Sequence, residues 1–330
     1  MIGQINKEYI QKRPTKFFSR MVSYAFFEGR PVTTPGQWIN PLVFKILRFA
    51  QKRNLGATVK EPVFILGTGR SGTTILGILL SMHSDIAFLN EPKAIWNSVF
   101  PDEDLIGSYS RGKATYEIET AVADEKSIER IRNIYGFYLN TVLSTRVVDK
   151  YPELVFRLNF VKKIFPDYKA LFIYRNGWDT CLSSANWSEV KGEQVNDETH
   201  DWWGVDNRKW NLLVDQLVAV DDDLKMHVDK IRAFTSQVDM SIVEWIISMK
   251  RGLKAVAENP QNVLPVRYEE LVDNPKKVMQ TICDFCHFKA DEKLLEYALQ
   301  TLKPVPSKKP VALHPVLEKP FNELMQKLNY

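Results

Sequence analysis

No stretch of this 330-residue chain approaches the roughly 18 consecutive apolar residues of a membrane-spanning helix, so no transmembrane span is expected. The N-terminus also lacks a compact apolar segment followed by a small-residue cleavage site, which argues against a signal peptide and for a cytoplasmic enzyme. Cysteine is scarce: three residues cannot build the disulfide framework of a small secreted domain. Two of them, in Cys283-Asp-Phe-Cys286-His287, spell the attachment pattern of c-type haem. Attachment requires export, however, and the apolar residues Val278, Ile282, Phe285 and Phe288 recur around the pair with helical spacing. A single C-x-x-C also falls short of the four ligands of a structural zinc site. Both cysteines, and Cys181, are therefore read as small apolar residues of the core. Internal repeats and low-complexity tracts are absent as well.

Acidic residues are missing from much of the N-terminal region. Residues 1–60 contain eleven Lys or Arg against Glu8 and Glu28, although the whole chain carries a net charge of only +4. The same region is aromatic, and Pro41–Ala50 reads as an amphipathic helix. Two readings follow: a surface lying against anionic lipid, or an extension whose apolar stripe packs on the main domain with its charges in water. The second is favoured. Nucleic-acid binding is not expected, because the basic residues fall in no recognisable nucleic-acid-binding motif.

What the chain does possess is a glycine loop. Phe64-Ile-Leu-Gly-Thr-Gly-Arg-Ser-Gly-Thr-Thr-Ile75 reads as a buried strand that breaks into a turn and opens a helix. Gly67, Gly69 and Gly72 let backbone N–H groups approach an anion, while Ser71, Thr73 and Thr74 add hydroxyls. The spacing of Gly67 and Gly72 matches a Walker A loop, yet Thr73 stands where a nucleoside triphosphatase has lysine. The loop thus holds a phosphate without the usual triphosphate equipment. Downstream, the apolar run Ala170–Tyr174 ends on Arg175, and Ser183 follows eight residues later on an expected helix starting near Asp179. A strand end presenting a guanidinium and a helix presenting a hydroxyl suit one phosphate.

Together the two elements resemble the 5′-phosphosulfate loop and the 3′-phosphate element of sulfotransferases that use 3′-phosphoadenosine 5′-phosphosulfate (PAPS). The resemblance covers about residues 60 to 310 and is closest to the tyrosylprotein and carbohydrate sulfotransferase type. It implies that Gly69, Arg70, Ser71, Gly72, Thr73 and Thr74 hold the 5′-phosphosulfate, and Arg175 and Ser183 the 3′-phosphate. Asp149-Lys150-Tyr151-Pro152 resembles the family's Lys-x-Pro segment, which implies that Lys150 stabilises the departing phosphate oxygen. Val266-Arg-Tyr-Glu-Glu-Leu271 resembles the segment whose tyrosine contacts the nucleotide, here Tyr268. Ser307-Lys308 resembles a pair that closes over the cofactor, Ser307 also assisting the leaving oxygen. Glu91 lies 21 residues after Arg70, the spacing of the catalytic glutamate in tyrosylprotein sulfotransferases, and would take the proton from an acceptor hydroxyl. No metal is expected.

The expected fold is α/β: a doubly wound parallel sheet carrying the P-loop, with helical excursions over the acceptor site. Strands are expected at 64–67, 86–89, 146–149 and 170–174, and helices over 128–143 and 154–164. The expected organisation is an N-terminal extension over 1–60 and one domain over 61–330, with 186–240 as an acceptor-binding cap. Five of the eight tryptophans fall between residues 178 and 210, amid acidic residues. Trp187, Trp202, Trp203 and Asp201 are the candidate acceptor-binding residues, because tryptophan faces stack on sugar rings and on cations. The alternative is that these tryptophans only pack the cap down. A carbohydrate or glycoconjugate hydroxyl is the expected acceptor; a cationic small metabolite is the rival. A P-loop kinase or a non-catalytic nucleotide-binding protein remains the alternative from other classes.

Overall fold

The computed structural model describes residues 5–52, 56–289 and 291–330. Five strands, β1 (Val63–Gly67), β2 (Ile86–Asn90), β3 (Arg146–Lys150), β4 (Lys169–Tyr174) and β8 (Val263–Arg267), form one sheet in the order β2-β3-β1-β4-β8. All four pairings are parallel. β1 is buried along its whole length, as its unbroken apolar sequence requires when helices cover both faces. Its side chains divide by the two-residue period of a strand: Phe64 and Leu66 join one core with Trp96, Tyr135 and Trp245, and Val63 and Ile65 join the other with Leu79, Met279 and Ile282. Cys283 and Cys286 belong to the second core and Cys181 to the first, all three as free thiols.

From β1 the chain passes to the edge strand β2, returns inward to β3, then crosses β1 to β4 and β8 on the other side. Gly67 pairs with Ile173, Asn90 with Lys150 and Tyr174 with Arg267, so the carboxyl ends of all five strands come to one edge. The glycine loop leaves β1 at this reversal of strand order, where open α/β sheets bind ligands.

Two expectations need revision. The helix foreseen over 154–164 is a 3-10 turn, Pro152–Phe156, followed by an α-helix, Leu158–Ile164. The break falls at Arg157, whose buried guanidinium donates to the carbonyls of Glu103, Thr115 and Tyr116. The 186–240 region is not purely helical either. The helix Gly177–Lys191 is followed by a small antiparallel meander of β5 (Glu193–Val195), β6 (Glu198–Asp201) and β7 (Gly204–Val205).

The N-terminal region packs into the same cores as the rest of the chain. Val43, Leu47 and Ala50 of the helix Asn40–Gln51 are buried in the first core. Buried Lys16 donates to the Ile86 carbonyl at 2.7 Å, and buried Arg20 pairs with Glu28, which in turn accepts the Asn90 amide at 2.8 Å. Among the described residues no helix is long and apolar enough to cross a membrane.

Candidate active site

Between Gly67 and the helix Thr73–Ser81 the glycine loop adopts positive φ at three residues: Gly67, Arg70 and Gly72. A side chain at Gly67 would strike the Ile173 carbonyl at 2.4 Å, and one at Gly72 the Tyr268 ring at 2.4 Å, so close approach as well as φ demands glycine. Ser71 is fully buried, and its hydroxyl donates to the Thr68 carbonyl at 2.6 Å. That hydroxyl holds the loop together instead of facing a ligand, which corrects the expectation for its side chain. Gly69, Arg70, Thr73 and Thr74 do line a cavity of about 310 Å³ at the sheet edge, together with Thr68, whose buried Oγ1 has no hydrogen-bond partner among the described residues.

Outside that cavity, around Arg70, the structure gathers the residues of the expected 3′-phosphate element. Arg70 Nε donates to Ser183 Oγ at 3.0 Å. Arg175 lies against Tyr268, its guanidinium carbon 4.6 Å from the ring centroid, and reaches Asp179 at 3.5 Å, while its buried Nε has no hydrogen-bond partner among the described residues. The backbone N–H of Lys308 donates to the same Asp179 carboxylate at 2.6 Å. Burial and then the Arg175 charge hold Arg70 below the usual guanidinium range, and burial with Arg175 and Arg70 lowers the Lys308 ammonium. Three cations thus crowd Ser183 and Asp179, an arrangement that a multiply charged anion relieves. Ser307 is exposed beside Lys308 and does not line the cavity with Glu91 and Lys150, so its expected help to the leaving oxygen has no counterpart in this geometry.

At the ends of β2 and β3 stand Glu91 and Lys150. The Glu91 amide donates to the Lys150 carbonyl at 2.6 Å, extending the ladder by one bond, and Glu91 then turns at φ +50°. That turn brings its carboxylate onto the Lys150 ammonium, which is itself buried. Burial pushes the Glu91 pKa up, but Lys150 and Lys93 outweigh it and the carboxyl titrates below its ordinary range. Beneath the pair, buried Asp149 accepts hydrogen bonds from Trp96 Nε1 at 3.0 Å and from the Tyr135 hydroxyl, fixing the strand end.

Sequence reasoning missed the charged floor that continues from this pair. Lys93 bridges Glu91 (4.0 Å) and Glu153 (3.3 Å); Lys209 bridges Glu153 (3.8 Å) and Glu244 (2.5 Å); and Glu244 accepts Trp202 Nε1 at 2.8 Å. Lys93 and Lys209 bring Glu153 down to about 2 against the upward push of burial. These residues come from four separate parts of the chain, and only their burial reveals them. A lysine or glutamate at an apolar-looking helix position was the one available signal, since such residues are rarely buried unless paired.

The acceptor candidates divide. Trp187 and Trp202 line the cavity and meet edge to face at 5.6 Å, and Trp202 lies so close to the loop that a Cβ on Gly69 would meet its ring at 2.4 Å. Asp201 also lines the cavity; burial raises its pKa, and it accepts the Trp203 amide at 2.8 Å. Trp203 is fully buried, stacked edge-on against Trp210 and bonded to Gln237, so it is a packing residue and not an acceptor contact. The wall opposite is supplied by the N-terminal segment, through Tyr24, Glu28, Arg30, Thr33 and Thr34, none of which the sequence had marked.

The sulfotransferase family model matches residues 62–229 and 220–292. Among solved structures, the sulfotransferase STF9 from Mycobacterium avium is 14% identical, with coverage of 98% of this chain and 92% of that one and a TM-score of 0.48. The sulfotransferase domain from the curacin biosynthetic pathway is 16% identical, with coverage of 83% and 99% and a TM-score of 0.48. An uncharacterized protein of Aquifex aeolicus (strain VF5) is 23% identical over 262 residues, 76% of this chain; the chain spans 28% of the length of that relative. Since the family model accounts for well over half of its residues, the chain belongs to the sulfotransferase family.

Proposed function

We propose that this enzyme transfers a sulfuryl group from PAPS to a hydroxyl of a carbohydrate or glycoconjugate by in-line displacement. The observation that carries the donor assignment is the cluster of Arg70, Arg175 and Lys308 about Ser183 and Asp179, adjoining a P-loop without lysine. An ordinary adenine nucleotide has no 3′-phosphate for such a cluster, and a kinase would need the missing lysine. Buried Arg175 Nε and Thr68 Oγ1, without a hydrogen-bond partner among the described residues, fit a ligand with phosphate oxygens on both sides of Arg70. When bound, the donor supplies a sulfuryl group activated by its anhydride bond to phosphate.

The chain's residues then have distinct tasks. The loop N–H groups, Arg70, Thr73 and Thr74 orient the 5′ end, and Tyr268 braces Arg175 against the loop. Glu91, ionised through Lys150 and Lys93, accepts the acceptor's proton at Oε2, the oxygen not bonded to Lys150. Lys150 keeps two N–H donors beyond the one given to Glu91, available to the phosphate oxygen freed by transfer.

Arg175→Ala is expected to weaken PAPS binding by about 1.5–3 kcal/mol, the worth of a charge-assisted contact, and to leave adenosine 5′-phosphosulfate nearly unaffected. Calorimetry with both ligands tests this; equal losses would remove the 3′-phosphate assignment.

The acceptor class is supported by the balance of the cavity, where Arg30, Arg70, Lys93, Lys150 and Lys209 face Glu28, Glu91, Glu153, Asp201 and Glu244. Such a lining gives a cationic acceptor no net attraction and suits a neutral polyhydroxyl molecule stacked on Trp187 and Trp202. Trp202→Ala should raise the acceptor KM with little change for the donor, and KM should barely respond to ionic strength. Trp203→Ala should instead lower stability by about 3–5 kcal/mol, as for a buried tryptophan, which a denaturant melt would register. A KM that climbs steeply with salt would point to a charged acceptor.

A further inference from the structure

The helix Asn40–Gln51 has one face in the core and another in solvent that is unusually apolar. Val43, Leu47 and Ala50 are buried, whereas Leu42 is 47% exposed and Trp38, on the turn that leads into the helix, is 84% exposed. Leu42 and Phe49, seven residues apart, share a face, and Phe49 stays 45% exposed although its ring edge packs on Phe137. Exposed Lys45, Arg48 and Lys52 flank this stripe. No Asp or Glu occurs anywhere between Gly29 and Lys60.

We infer that this face docks on a bilayer containing anionic lipid. Tryptophan with its ring in solvent, a leucine one turn on, and lysine and arginine along the flank are the parts of a helix lying in a headgroup layer. The charge pattern selects this occupant over a second copy of the chain: a two-fold contact through the same face would set Lys45, Arg48 and Lys52 against their own images, and the segment between Gly29 and Lys60 that forms the face offers no Asp or Glu to pair them. Anionic headgroups supply the missing charge, at about 1 kcal/mol for each lysine or arginine near the surface. Elsewhere in the N-terminal region Lys16 and Arg20 are buried and Phe18 is exposed, but the 38–52 face is where exposed apolar side chains and exposed cations alternate along one helix.

Docking here has a geometric consequence. Thr33 and Thr34 line the cavity, and Trp38 follows Thr34 by four residues, a span of at most about 14 Å. One wall of the cavity therefore lies beside the headgroup layer, where an acceptor hydroxyl carried on a lipid headgroup is within reach. That consequence rests on the sulfuryl-transfer reading; the docking does not.

Sedimentation of the full chain with vesicles of phosphatidylcholine alone and of phosphatidylcholine mixed with phosphatidylglycerol tests the inference without any measurement of activity. Binding is expected to the mixed vesicles only and to weaken as salt is raised. Lys45→Gln with Arg48→Gln should lower the affinity about fivefold for each charge removed. The double variant Trp38→Ala, Leu42→Ala should lower it further, and because both side chains are exposed its thermal melt should match the parent. Absence of binding to mixed vesicles at low salt overturns the inference, as does binding that survives both double variants. A concentration-dependent dimer that Leu42→Glu dissociates, in a protein that ignores vesicles, assigns the face to a second copy and overturns it equally.

Discussion

Replacing Glu91 by Gln should cut turnover by about 10² to 10⁴-fold and leave donor affinity nearly intact, because the change removes a proton acceptor and keeps the shape. The expectation is sharper than sequence alone allows. The other carboxylates of the cavity floor, Glu153 and Glu244, are each tied to lysine, and Glu244 also accepts Trp202. The histidines that could otherwise compete are out of reach: buried His83 bonds the Lys289 carbonyl near the opposite ends of the strands, and His200 bonds Glu198 without lining the cavity. Glu91 is thus the carboxylate that is both ionised by its neighbours and open to the cavity, with a side chain 39% exposed. Single-turnover kinetics beside calorimetry of the donor separate the two quantities. Wild-type turnover in Glu91→Gln would dismiss proton transfer at this position, and a matching loss of donor affinity would reassign the residue to binding.

The parts of this molecule legible in its sequence are those with local signatures. The strands β1 to β4 announced themselves as short apolar runs, and the P-loop, Lys150 and Arg175 follow directly from three of their ends. Strand ends and a glycine turn are short-range features, so pattern reading found them within a residue or two. The cation cluster was legible only in part. Arg175 and Ser183 stand on one strand and helix, but the joining of Arg70 to Ser183, and the Lys308 amide to Asp179, is long-range geometry with no periodic trace. The cavity floor was illegible for the same reason, since Lys93, Glu153, Lys209 and Glu244 meet only after four segments have packed.

Tryptophan composition misled in one place. Trp202 and Trp203 are the two turn residues between β6 and β7, and the turn sends Trp202 to the cavity and Trp203 into the core. Nothing in composition says which. The N-terminal region shows the converse: its charge run suggested either lipid or solvent, yet Lys16 and Arg20 are buried with partners while the 38–52 face remains open. Averages over a segment conceal such a division, which depends on where each side chain lands.

The second large effect concerns pH. In the native protein Lys150 and Lys93 pull the Glu91 carboxyl below its ordinary range although burial pushes it up. Its charge therefore contributes stability above the unfolded pKa, and that contribution is lost as pH falls through the lowered folded value. Lys150→Met removes the stronger of the two cations at nearly constant length, so burial prevails and the Glu91 pKa should rise. The acid limb of the pH–rate profile should move to higher pH, and the stability contribution should change sign, now being lost as pH rises through the raised folded value. Two consequences of Lys150 then separate experimentally. If the lysine served only to keep Glu91 ionised, turnover on the alkaline plateau would recover. If it also stabilises the departing oxygen, the plateau should stay about 10² to 10³-fold below the parent, the usual loss when a donor to developing negative charge is removed. The second outcome is expected, because an ammonium that gives one N–H to Glu91 retains two for the leaving group. A profile whose acid limb does not move would show that Lys150 does not govern the charge of Glu91, and the proposed division of labour between strand ends would fail with it.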